Sequence, residues 1–232
     1  MYFSLITPQA GHELEAARIW NGVYDDHQWL WQFFPSSEKD APRRFIFRRY
    51  EADKLPRYYV VSEQTPTAPG TAWQVQSKLY SPTLASGNHY RFDLRANPTV
   101  THQRSGKKQR HDVVMQAKRQ LLDQHGLSKW EELPDQVRPP MGQLTFKACS
   151  DWLLARAAQI GVEFIADSIQ VDSYQQHREK RKSQDATLRF SSVDFSGELV
   201  VRDAALLTQA LTQGIGHAKG FGCGLLLLRP VS

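Results

Sequence analysis

Residues 203–229 read DAALLTQALTQGIGHAKGFGCGLLLLR, and they decide how the second half of the chain folds. Asp203 can cap a helix that runs to Gln213, because its carboxylate accepts from the free N–H groups of a first turn. Gly214 ends that helix. A glycine-rich loop follows, and the apolar run Cys223–Arg229 reads as a last strand. Upstream, 162–175 and 187–201 read as two strands joined by a basic segment. Before them, 147–160 reads as a helix stopped by Gly161, with Ser150 or Asp151 available as its cap. Tyr90–Arg95 alternates apolar and polar residues, as a half-buried strand does. A shorter helix fits near 112–124.

The order in this half is β-α-β-β-α-β, the ferredoxin-like arrangement. The first half repeats most of it. Residues 2–7 read as a strand, and 12–34 carry Leu14, Ala17, Trp20, Val23, Tyr24, His27, Leu30, Trp31 and Phe34 at helical spacing. Pro35 ends that helix. Strands follow at 44–50, 58–62 and 73–80, with no clear second helix. The expected fold is therefore α+β, two tandem ferredoxin-like domains, at 1–88 and 89–232.

Composition narrows the class. With 41% hydrophobic residues the chain can build real cores. Cys149 and Cys223 have no paired-ligand spacing, which argues against a zinc site and a disulfide framework. No apolar run approaches the roughly 18–20 residues of a membrane span. The start Met1-Tyr2-Phe3-Ser4-Leu5-Ile6 lacks the basic lead of a signal peptide. A cytoplasmic protein with no membrane partner is expected. The net charge of +5 suits a polyanion. It is concentrated in two clusters: Arg104–His111, with Lys107, Lys108 and Arg110, and His177–Lys182, with Arg178, Lys180, Arg181 and Lys182. The second lies between two strands, at a hairpin tip.

Two features carry chemistry. Gly214, Gly216, Gly220, Gly222 and Gly224 stand among eleven residues, with His217 and Lys219. Glycines let backbone N–H groups approach an anion, and lysine adds charge. This loop follows a helix and leads into a strand, the reverse of a dinucleotide fingerprint. The second feature is Tyr24-Asp25-Asp26-His27, in which Tyr24 and His27 share a helix face. On spacing alone, a histidine in an apolar stripe is more often a core residue than a catalyst. A near-neutral proton shuttle beside a phenol nevertheless suits RNA cleavage by the RNA's own 2′-hydroxyl.

The glycine loop closely resembles the signature of the RAMP superfamily of repeat-associated RNA-binding proteins. Tyr24–Pro35 (YDDHQWLWQFFP), Tyr90–Pro98 (YRFDLRANP) and Val193–Leu199 (VDFSGEL) resemble one branch of it, the CasE family of CRISPR endoribonucleases in the type I-E Cascade complex. The resemblance runs in the family's order over nearly the whole chain. It implies two ferredoxin-like domains and cleavage of the CRISPR repeat transcript at its hairpin. His27 falls on the family's catalytic histidine, Tyr24 on its tyrosine, and 177–182 on the element that grips the RNA stem. It further implies no metal and no cofactor, with the product kept as a Cascade subunit. The segment 104–111 matches loosely, so Lys107, Lys108 and Arg110 all stand as candidates for the phosphate. A non-cutting RNA-hairpin-binding subunit of the same fold is the alternative. An RRM-type protein would show a Lys/Arg-Gly-Phe/Tyr-Gly/Ala-Phe motif, which this sequence lacks.

Overall fold

The computed structural model describes residues 1–18, 23–34, 43–104, 106–180 and 187–231. They divide into two units, residues 1–84 with 208–226 and residues 85–207 with 227–232. Sequence order groups the glycine loop with the second half, whereas in space it packs within the first unit.

The first unit begins with β1 (Tyr2–Pro8), then α1 (Glu13–Arg18) and α2 (Val23–Trp31). Residues 19–22, in the middle of the helix expected over 12–34, and Pro35 lie outside the described residues. After Trp31 the chain tightens, with the N–H groups of Gln32, Phe33 and Phe34 donating three residues back. Next come β2 (Phe45–Ala52), β3 (Leu55–Ser62) and β4 (Trp73–Leu79). They form an antiparallel sheet in the order β2-β3-β1-β4, the ferredoxin-like order. The core between α2 and this sheet is largely aromatic. Trp29 lies 4.3 Å from Trp73, 4.7 Å from Phe33 and 4.9 Å from Tyr58, ring to ring. Each such side chain gains about 1.5–3 kcal/mol on burial.

The second unit starts with β5 (His89–Ala96), whose Phe92, Leu94 and Ala96 face inward as its alternation predicts. A hairpin of β6 (Thr99–Arg104) and β7 (Lys107–Asp112) follows. Sequence periodicity missed it, because a two-stranded ribbon with two polar faces shows no apolar alternation. Asp112 then caps α3 (Val113–Gln124) by accepting from the Met115 N–H at 2.8 Å. The next helix, α4 (Met141–Leu154), starts six residues before the expected 147. Pro140, with its fixed φ, stands at its N-cap, so Ser150 and Asp151 lie inside it and do not cap it. Gly161 takes the expected left-handed conformation at φ 73°.

The strand expected over 162–175 is broken into β8 (Val162–Phe164) and β9 (Gln170–Lys180) by a short 3-10 turn at Ala166–Ser168. Ser168 Oγ holds that turn by accepting from the Glu198 N–H on the long β10 (Thr187–Val201). Both β8 and β9 pair with β10. The chain ends with α5 (Ala204–Gln213) and β11 (Leu226–Pro230). The sheet order β11-β5-β10-β8 is again ferredoxin-like, so the fold is α+β with two such units in tandem. The last strand starts three residues later than expected. Gly224 is held back in the loop, where its carbonyl accepts from the Ile215 N–H at 2.8 Å.

Candidate active site

Helix α2 presents two kinds of surface. Asp26, Trp29, Leu30 and Phe33 are buried. Asp26 Oδ1 accepts from the Tyr58 hydroxyl at 2.5 Å, and Arg49 lies 3.9 Å from Oδ2. That buried network fixes α2 to β2 and β3. His27, the next residue, is half-buried beside the glycine loop, with its ring centroid 5.9 Å from that of Phe221.

The loop reaches His27 through a 3-10 turn at Lys219–Phe221, entered by Ala218 in the left-handed conformation. Gly220 is the point of closest approach. A Cβ there would lie 2.7 Å from Arg43 Nη1 and 3.5 Å from His27 Nδ1 and Cε1. A residue without a side chain lets the Arg43 guanidinium keep this position over the backbone beside His27. His27 Nε2 accepts from the Trp31 indole N–H across a long 3.4 Å, which leaves the lone pair on Nε2 and the proton of the neutral ring on Nδ1. Nδ1 is sealed from solvent without a regular hydrogen bond, although the Gly220 backbone is near enough to favour the charged ring slightly. Burial first, and then the Arg43 charge, outweigh that effect and hold the His27 pKa below its ordinary value. The imidazole is neutral at pH 7.

Arg43 was not legible in the sequence. It stands in a run of basic residues before β2 that carries no motif, and only the fold brings it to His27. Its Nε is buried without a hydrogen-bond partner. Lys219 donates to the Gln213 carbonyl at 2.7 Å, and its pKa is lowered by burial and by Arg43. Among the described residues no carboxylate pairs with Arg43 or Lys219. Gly214, Gly222 and Gly224 lie against protein: a Cβ would meet Gly224 and Ile46 at Gly214, Phe47 at Gly222, and Ile215 and Lys219 at Gly224. His217 is exposed. Tyr24 lies on α2, and its side chain is outside the described atoms.

The basic clusters belong to the two hairpins of the second unit. In β6–β7, Arg104 stands opposite Lys107, Gln103 opposite Lys108 and Thr101 opposite Arg110, and Lys108 and Arg110 are exposed. In β9–β10, Arg178 stands directly opposite Arg189 and His177 opposite Phe190. The His177 and Phe190 rings stack at 4.5 Å, and His177 Nε2 bonds Ser192 Oγ at 2.8 Å. Arg181 and Lys182 lie outside the described residues, as do the side chains of Lys107 and Lys180. Like charges directly opposite are destabilising in a free hairpin. Arg189, which the sequence reading did not single out, creates such a pair with Arg178. Asp112 joins the bases of the two hairpins, since its carboxylate accepts from Tyr174 OH at 3.0 Å on β9 and from the Ser191 hydroxyl on β10.

No three His, Cys, Asp or Glu side chains among the described residues come together as metal ligands would. No described helix is long and apolar enough to cross a membrane. Both cysteines are free and buried, and burial raises the Cys149 thiol to about 12.

Residues 1–230 match the family model described as "CRISPR associated protein". The chain belongs to that family. It is 28% identical, over 93% of its length and 96% of the relative's, to the CRISPR system Cascade subunit CasE of Escherichia coli K12. It is similar in fold to the CRISPR endoribonuclease Cse3 bound to a 19-nt RNA, with TM-score 0.68, 21% identity and coverage of 99% of this chain and 100% of the other. Cse3 of Thermus thermophilus, solved with an RNA representing a pre-cleavage complex, gives TM-score 0.67 at 20% identity, with 99% of each chain covered.

Proposed function

We propose that this CRISPR-associated chain is a metal-independent endoribonuclease. It binds the stem-loop of CRISPR repeat RNA, cuts the precursor by 2′-hydroxyl attack, and keeps the mature guide RNA as a cytoplasmic subunit of Cascade. Family membership and the likeness to CasE and to the RNA-bound Cse3 proteins support the biological role. One observation carries the chemistry. A neutral His27, whose Nε2 is held by the Trp31 indole only across a long 3.4 Å, feels the Arg43 charge; Lys219 neighbours that guanidinium, and among the described residues no carboxylate pairs with either cation.

In this reading the 2′-hydroxyl displaces the long Trp31 contact, and Nε2 of His27 takes its proton. The 2′-oxygen bonds to phosphorus and the P–O5′ bond breaks. The departing 5′-oxygen takes a proton from a general acid, for which Tyr24, one helical turn earlier, is the candidate. The products carry a 5′-hydroxyl and a 2′,3′-cyclic phosphate, which water can open to a 3′-phosphate. Placing the two oxygens and phosphorus in line removes much of the barrier, and cations on the phosphate oxygens supply the rest. Lys107, Lys108, Arg110, His177, Arg178, Lys180, Arg181 and Lys182 hold the RNA. An A-form stem is recognised mainly through shape, phosphates and 2′-hydroxyls, and two basic hairpins suit that task.

Incubation with repeat hairpin RNA in EDTA tests the reading. Cleavage with 5′-hydroxyl ends is expected. Activity that vanishes in chelator and returns with Mg²⁺, or products with 5′-phosphates, would defeat it. An intact RNA that stays bound would mark the chain as a binding subunit only.

A further inference from the structure

We propose that Arg43 is a catalytic residue of this site, its guanidinium binding the non-bridging oxygens of the scissile phosphate as negative charge builds up in the transition state. The proposal rests on the nuclease reading and extends it to a residue outside every recognised motif.

Three observations point to this role. Arg43 is half-buried, and its Nε is sealed from solvent without an acceptor. A half-buried cation that has no carboxylate partner among the described residues, and a sealed Nε without an acceptor, is costly in a finished fold. Its neighbours add to that cost, since Lys219 is a second cation and His27 is held neutral partly by Arg43 itself. Structural stability therefore does not account for this placement. An absent anion does, because it would satisfy the exposed donors and relieve the repulsion together. The absence of a side chain at Gly220 leaves room for Nη1, since a Cβ there would lie 2.7 Å from it and 3.5 Å from the imidazole. The ligand must also be a compact oxyanion with oxygens in a plane that a guanidinium fork can grip, and a phosphodiester fits.

A phosphate held equally well before and during reaction would only strengthen binding, whereas one held best as charge accumulates speeds the chemical step. Arg43 and the base both border Gly220, so the guanidinium lies near where the new bond would form. The basic hairpins, with many more phosphate contacts, carry most of the affinity.

Arg43→Gln tests this in single-turnover cleavage of repeat hairpin RNA at saturating protein, with binding measured on the same RNA bearing a 2′-deoxy residue at the cut. The cleavage rate is expected to fall about 10²–10³-fold, as when one preorganised charge-stabilising donor is lost, while binding changes little. The acid limb of the pH–rate profile should move to higher pH, because Arg43 no longer disfavours protonated His27. Among the described residues, the charged group acting on that imidazole is Arg43, with Lys219 next to Arg43 and with Trp31 and Phe221 not titrating. Arg43→Lys should restore the acid limb but recover only part of the rate, since it keeps the charge and loses the fork. Gly220→Ala gives an independent steric test. Its Cβ would displace the flexible guanidinium without straining the backbone, so the rate should fall as in Arg43→Gln with melting unchanged. Arg43→Gln should melt no lower than wild type. Wild-type rate and pH profile in Arg43→Gln, or a rate loss accompanied by a lower melting temperature in both variants, would overturn the assignment. A wild-type protein that leaves the RNA whole overturns the nuclease reading itself, a different result from a wild type that cuts beside an Arg43→Gln that cuts equally well.

Discussion

His27 is the residue on which geometry and chemistry meet. It is half-buried, Nε2 faces the Trp31 indole and Nδ1 faces Gly220. His27→Ala should lose about 10²–10⁴-fold in cleavage rate and keep its affinity for the repeat hairpin, the loss typical of one acid–base group. A folded variant that cuts normally would remove His27 from the mechanism, and one that loses binding and stability together would make it a packing residue. Tyr24→Phe should lose less, since the ring stays and only the hydroxyl goes. The lowered pKa of His27 also has a stability consequence. The unfolded ring titrates near 6.5 and the folded ring lower. As pH falls through that range the unfolded chain takes up the proton first, so stability declines. This contribution is complete above the unfolded value and is lost toward the folded one. Denaturant midpoints of wild type should drop between about pH 7.5 and pH 5.5 by more than those of His27→Ala. Equal drops would show that His27 is not shifted.

At the scale of elements, α2 is held by a polar lock inside an aromatic core. Burial, and then the Asp26 charge, push the Tyr58 hydroxyl pKa above its usual range and keep it a donor. Asp26 in turn receives that bond and the Arg49 charge. Tyr58→Phe preserves the ring contacts with Trp29 and Trp73 but leaves a buried carboxylate short of one partner. The expected loss is about 1.5–3 kcal/mol, the range for a hydrogen bond to a charged group, read as a shift in urea midpoint with unchanged slope. No measurable shift would show that the remaining partners of Asp26 satisfy it without the Tyr58 hydroxyl. The lock sits one residue from His27, so it also sets where the imidazole stands over the loop.

At the scale of the whole molecule, the proposed function would divide between chemistry in one unit and grip in the other. The first unit holds His27, Arg43 and the glycine loop, and the second holds both basic hairpins. Arg178→Glu with Lys180→Glu should weaken hairpin binding and flatten the dependence of log K on log salt by roughly 1–2 units. The chemical step in bound RNA should change much less. Titration at several salt concentrations measures both quantities, and an unchanged slope would detach this hairpin from the RNA. In the RNA-free state the reversal should also relieve the Arg178–Arg189 opposition, so melting should hold steady or rise.

The sequence by itself determined the tandem α+β pattern and the motif that carries His27. Apolar alternation in β5, the caps of α3 and α5, and Gly161 are all local consequences of side-chain chemistry. Each element there reports its own burial through its own residues. Only the tertiary structure decided the rest. The β6–β7 ribbon left no apolar signature, because neither of its faces packs on a core. The break between β8 and β9 depends on Ser168 bonding an N–H thirty residues away. The candidate site joins α2, a residue two positions before β2 and a loop nearly two hundred residues after α2, and no local pattern can encode that meeting. The role proposed for Arg43 arises because folding half-buries it and places it near a histidine and a lysine. Burial and charge proximity of that kind are properties of the assembled chain, not of any segment of it.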